Sequence, residues 1–152
     1  MWNPFRRSLG AGDLSENLAA IVSLSRQEAI RLDNDFIHVV HFLLAVLADK
    51  SSSVYKVLED LKLDLASLKP ELENIFKGRR SEQRGVNVVG SLPLTKDFEK
   101  ALSQAFRIAF KQGAKKVEAS HLVLAVLQDP SAPSAGILRD LGLTVENLQS
   151  AL

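Results

Sequence analysis

The chain repeats itself, and the repeat limits the folds available to it more than any other feature does. Displaced by about 80 residues, the second half lies on the first without a gap. His41-Phe-Leu-Leu-Ala-Val-Leu-Ala-Asp49 falls on His121-Leu-Val-Leu-Ala-Val-Leu-Gln-Asp129. Leu58, Asp60, Leu61 and Leu63 fall on Leu138, Asp140, Leu141 and Leu143, and Leu68 and Leu72 on Leu148 and Leu152. Ala29 meets Ala109, and Leu14 meets Leu94. Roughly a quarter of the positions from Leu14 to Leu72 are identical to their partners. A chance match of two leucine-rich stretches does not hold register over such a length. The sequence therefore divides into a tail (1–12), a first repeat (13–77), a linker (78–92) and a second repeat (93–152).

Within the repeats the apolar residues recur at helical spacing. Leu14, Leu18, Ile21, Val22, Ser25, Ala29 and Leu32 share one face of a first helix. Asp13, with Glu16 three residues on, is the expected N-cap. Small Ser25 and Ala29 let a second helix come close. That second helix, about Val39 to Asp49, is apolar nearly all round and is expected to be central. Ser51 to Ser53 opens a short third helix, and Asp64 caps a fourth toward Phe76. Pro70 lies inside that pattern and predicts a kink, or a break after the first turn.

The second repeat follows the same plan. Thr95 caps a helix carrying Phe98, Leu102, Phe106 and Phe110 at i, i+4 spacing, and Gly113 stops it. Ser120 is the expected cap of the buried helix through Leu127, and Ser134 to Leu141 and Thr144 onward complete the set. No segment alternates with period two long enough to form a strand. The fold expected is all-α: an eight-helix pseudo-twofold bundle made of two tandem four-helix repeats. The linker is polar, basic and glycine-bounded, and its Val86-Asn-Val-Val89 centre is expected either to pair weakly or to pack on the surface.

Composition excludes several function classes. Hydrophobic residues at 46% supply a core without metal or disulfide staples. Cysteine is absent, which removes thiolate zinc sites and cysteine nucleophiles. A net charge of +1 gives no field to draw the chain onto nucleic acid or anionic lipid. Arg6, Arg7, Arg79, Arg80, Arg84, Lys115 and Lys116 are read as solvated, since aromatic residues at 6% leave few stacking platforms. The longest apolar run, Phe42 to Ala48, is far short of a bilayer span, and no apolar signal region follows Arg6-Arg7. The chain reads as soluble and cytoplasmic. His41 and His121 suggest a symmetric metal pair, but only His38 is left to join them. The expectation is a half-buried histidine bonded to a loop carbonyl, with no metal and no cofactor. No nucleophile elbow or convergent acid–base group is evident, so no enzymatic activity is expected.

The two His-led helices, His41 to Leu47 and His121 to Leu127, resemble those of the Clp amino-terminal repeat domain, found at the front of Clp and Hsp100 AAA+ unfoldases. Arg26-Gln-Glu-Ala-Ile-Arg-Leu32, Phe36-Ile37 and the Val57-Leu58, Leu61, Leu63 tail support the match, which covers about Asp13 to Leu152. The resemblance implies a non-catalytic domain that receives substrates or docks adaptors within a chaperone–protease system. The chain has no Gly-x-x-x-x-Gly-Lys-[Ser/Thr] phosphate loop. It is read as a free-standing adaptor or regulator, with the substrate-receiving front of a longer unfoldase as the alternative. A structural or oligomerising helical module is the reading from another class.

The resemblance also implies partners: a Clp-type unfoldase or protease ring, or unfolded or tagged client proteins. No nucleic acid or membrane is expected, and the chain is read as a monomer or weak oligomer. Many relatives carry a Glu before the helix-two histidine, and in some it binds phosphorylated arginine. Val40 and Ser120 stand there and carry no charge, so that recognition is not expected. The candidate partner-binding residues are Val40 and Ser120 in a groove between the repeats, Phe36 beside it, and Trp2 and Phe5 in the tail.

Overall fold

The computed structural model describes residues 13–76 and 92–152, so Trp2, Phe5, the tail and nearly all of the linker lie outside the described residues. The described chain forms helices α1 (Glu16–Arg31), α2 (Val39–Ala48), α3 (Ser53–Asp60) and α4 (Leu65–Phe76), then α5 (Lys96–Lys111), α6 (Ala119–Leu127), α7 (Pro133–Leu141) and α8 (Val145–Ala151). Each helix of the second set starts 80 residues after its counterpart in the first. The expected all-α, eight-helix plan is the one observed.

The helix starts show how the repeats lock together. Leu14 pairs with Val117, and Ile37 with Leu94, as isolated parallel bridges. Ser15 N–H donates to Val117 O at 2.9 Å, and Val117 N–H to Asp13 O at 2.9 Å. The counterpart bonds run from Ile37 N–H to Pro93 O at 2.8 Å and from Thr95 N–H to Ile37 O at 3.1 Å. Each repeat thus lends an extended residue to the other, and the four bonds are related by the same 80-residue shift. Two expected caps move for this reason. Asp13 and Ser15 both bond Val117 and Leu14 between them is held extended, so the helix starts later and Ser15 is the N-cap of α1, accepting from Leu18 N–H at 3.0 Å. Thr95 does the same for Phe98 N–H at 3.2 Å. Val117 is likewise held extended, so α6 starts at Ala119 with Glu118 as N-cap, and Ser120 sits inside the first turn.

The core follows the repeat. Helix α2 buries Val40 through Val46 and α6 buries His121 through Leu127, as their all-round apolar character requires. Ser25 and Ala29 of α1, and Ala105 and Ala109 of α5, are buried where the small residues permit close approach. Across the repeat boundary, the rings of Phe42 on α2 and Phe98 on α5 lie 6.2 Å apart at 58°. The expected Phe98, Leu102, Phe106, Phe110 stripe is only partly inside. Phe98 and Leu102 are buried, but Phe110 is 82% exposed. A strict four-residue step drifts about 40° per step around a helix of 3.6 residues per turn, and three steps carry Phe110 out of the core. Ile108 and Ala109 take the buried side instead.

Helix α4 passes through Pro70 without a break. The carbonyl that proline leaves unbonded belongs to Ala66, and both residues are exposed, so water can serve it. The turns that end α1 and α3 place non-glycine residues in the left-handed region: Asp33 and Lys62, both at φ 59°. Their counterparts are Gly113 at φ 70° and Gly142 at φ 109°. Replacing Lys62 with glycine relieves about 1–2 kcal/mol of left-handed strain and adds somewhat less unfolded-state entropy. Lys62→Gly is therefore expected to raise stability by about 0.5–1 kcal/mol in urea denaturation. A loss of stability would show that this turn is not strained.

Candidate protein-binding site

The two bridges create two related seams, each where the start of a buried helix meets the other repeat. At the first, Ile37 is buried, Phe36, His38 and Val39 are half-buried, and Leu94 closes from the second repeat. At the second, Val117 is buried and pairs with Leu14, while Lys115, Lys116 and Glu118 are exposed. The backbone is repeated but the chemistry is not. Asp35 and Phe36 correspond to Lys115 and Lys116, and Asp97 to Asn17. The first seam thus carries a carboxylate and an aromatic ring where the second carries two lysines, which Glu118 partly offsets.

The charges of Asp35 and Asp97, one from each repeat, both act to raise the pKa of His38. Burial lowers it by more, so the net shift is downward. His38 therefore tends to be uncharged near neutral pH. At the outer end of α1, Arg31 is held by Glu28 at 2.9 Å and by Glu73 of α4 at 2.6 Å.

The paired histidines support the seams from beneath. His41 Nδ1 accepts from His38 N–H at 2.8 Å, and its Nε2 lies 2.8 Å from Asn34 Oδ1. His121 Nδ1 accepts from Glu118 N–H at 2.9 Å, and its Nε2 lies 3.0 Å from Gln112 Oε1. An Nδ1 that accepts leaves the proton on Nε2, which then donates to the amide oxygen. Both nitrogens of each ring are engaged by protein atoms, and each ring pins the turn before its helix. The expectation of a half-buried histidine on a loop carbonyl is corrected on two points. His41 is fully buried and His121 is 5% exposed, and the acceptor is a side-chain amide.

The residues singled out in sequence fall unequally. Phe36 is half-buried at the first seam. Val40, its neighbour on α2, is packed inside at 3% exposure and shapes the seam from below rather than lining it. Ser120 is half-buried in the first turn of α6 at the second seam. Trp2 and Phe5 lie outside the described residues. Periodicity gave no sign of Asp35 and Asp97, which are far apart in sequence. The signal that could have found them is the 80-residue comparison itself, which shows charge reversing at Asp35 and Lys115.

Residues 13–141 match the family model described as the Clp repeat (R) N-terminal domain. The chain is 26% identical over 136 residues to the chloroplastic chaperone protein ClpC2 of Arabidopsis thaliana, covering 90% of this chain and 14% of that protein. The chain spans 14–16% of the length of such curated relatives. Among solved structures, it is similar to the Hsp104 N-terminal domain from Candida albicans, with a TM-score of 0.72 and 17% identity over 91% of this chain and 88% of that one. It is also similar to the N-terminal domain of the ClpV1 ATPase from E. coli, with a TM-score of 0.72 and 20% identity over 91% of this chain and 82% of that one.

Proposed function

Because the chain belongs to the family of Clp repeat N-terminal domains, we propose that it recognises segments of other proteins, without catalysis, for a Clp-type chaperone or protease system. The observation that carries the reading is the first seam: a half-buried Phe36 two residues from His38, on which charges from both repeats, Asp35 and Asp97, act. Such a surface suits an extended segment that pairs an apolar side chain with lysine or arginine. The ring offers apolar area, and the carboxylates steer and orient the cation. Ser120 and the lysines of the second seam give a differently charged second contact, so a long client meets two distinct ends. The chain acts as an adaptor or regulator. The alternative is the receiving front of a longer unfoldase, which the small share of its relatives' length also fits.

The test is binding of an unfolded basic chain, reduced and amidomethylated lysozyme, followed by fluorescence anisotropy. Phe36→Asp is expected to weaken binding by about tenfold or more, as loss of an aromatic anchor does. Asp35→Asn with Asp97→Asn is expected to weaken it further at low salt than at high salt. Unchanged affinity in both variants would reject this seam as the site. With Val40 and Ser120 in place of the family's glutamates, arginine-phosphorylated peptides are expected to bind no tighter than unmodified ones.

A further inference from the structure

Ile30 and Phe110 are large apolar residues that face solvent, at 55% and 82% exposure, and they occupy equivalent positions in the two repeats. Each sits in the last turn of a long helix that the core does not cover. Phe110 is the more exposed, and it lies near the point where residues 1–12 join the domain. The tail enters at Asp13, whose carbonyl accepts from Val117 N–H at 2.9 Å. After Phe110 the chain turns back at once, with Ala114 N–H donating to Ala109 O at 3.0 Å. Three more residues, at most about 10 Å, bring it to Val117.

The tail has the chemistry and the length to cover that ring. It carries Trp2 and Phe5 around Pro4, followed by the glycine-containing Ser8-Leu-Gly-Ala-Gly12. Between Phe5 and Asp13 a flexible span has a typical end-to-end distance of about 16 Å and a limit of about 27 Å. Arg107 and Lys111 flank Phe110 on α5, and cations beside an apolar patch favour the electron-rich face of an indole. Arg6 and Arg7 have the same charge as Arg107 and Lys111, so such a contact would rest on the rings rather than on ion pairs. Ile30 is a poor alternative. It lies at the far end of α1, about 24 Å of helix from the entry point.

We propose that Phe110 is the docking point for the chain's own Trp2–Phe5 segment, which folds back over the end of α5. The proposal is independent of the function assigned to the Phe36 seam.

Trp2 is the single tryptophan, so its emission reads the contact directly in the full chain. The expected result is a blue-shifted emission shielded from acrylamide and independent of protein concentration. Phe110→Asp should shift it to the red and expose it to the quencher, matching a free peptide of residues 1–10. Ile30→Asp should leave it unchanged. Both substitutions are on exposed positions, and far-UV circular dichroism confirms that each variant is folded. Equal quenching in the native chain and Phe110→Asp would overturn the proposal. So would shielding that appears only as concentration rises, which would assign Phe110 to a contact between two copies.

Discussion

Replacing Phe98 with alanine is expected to destabilise the whole protein by about 3–5 kcal/mol, a large part of what a domain of this size has to lose. Phe98 is fully buried, so truncation removes its transfer energy and leaves a cavity. Its position makes the effect global. The ring stands on α5 of the second repeat and packs 6.2 Å from Phe42 on α2 of the first. The caps and bridges around it tie the same two segments, since Thr95 caps α5 and also bonds Ile37. Both repeats should therefore unfold in one transition, shifted together, in urea curves read by circular dichroism. The double-mutant cycle with Phe42→Ala should return a coupling of about 0.5–1.5 kcal/mol. Two separate transitions, with only the second repeat weakened, would show that the repeats are independent units.

The second large effect is acid sensitivity centred on His41. Burial is the main cause that lowers its pKa to about 4 from an ordinary 6.5, with smaller contributions from the charges of His38 and Arg31. The geometry agrees, since Nδ1 already accepts from His38 N–H and has no room for a second proton there. The unfolded chain binds a proton near pH 6.5 that the folded chain refuses until about pH 4. The stabilisation from a neutral His41 is thus fully present above pH 6.5 and is lost as pH falls toward 4. Its full size is ~3 kcal/mol over that window. His121 is shifted in the same direction, also chiefly by burial, and adds to the slope. His41→Gln keeps an acceptor and a donor but does not titrate. Its stability is expected to vary much less between pH 6.5 and 5, above the range where most carboxylates protonate. If the native and variant chains share one slope in chemical denaturation, His41 is not the sensor.

Much of this fold was legible before any coordinates, because two levels of pattern agreed. The helical spacing gave each element, and the 80-residue shift fixed their pairing into repeats. Ser and Thr caps, Gly113 and Gly142 ended helices where local chemistry demands it. What escaped was set by contacts between distant segments. The Leu14–Val117 and Ile37–Leu94 bridges are single residue pairs with no periodicity, yet they move the starts of α1 and α6. The amide partners of the histidines, Asn34 and Gln112, stand at different sequence distances from their rings and so were hidden from a repeat comparison. The i, i+4 series from Phe98 does not itself say where the core ends, and helix geometry carries its last member, Phe110, out to solvent. Of the candidate site, Phe36 is legible in the sequence, but that the charges of Asp35 and Asp97 both act on His38 follows only from the fold.

Recognition of protein segments at the seam of Phe36, Asp35 and Asp97 would show directly in the spectrum of the domain. The most direct measurement is backbone amide NMR of the labelled full chain, titrated with reduced and amidomethylated lysozyme. Saturable shifts are expected to concentrate at residues 35–39 and 94–97 and to vanish in Phe36→Asp. No shifts, or shifts confined to α3, α4, α7 and α8, would contradict it.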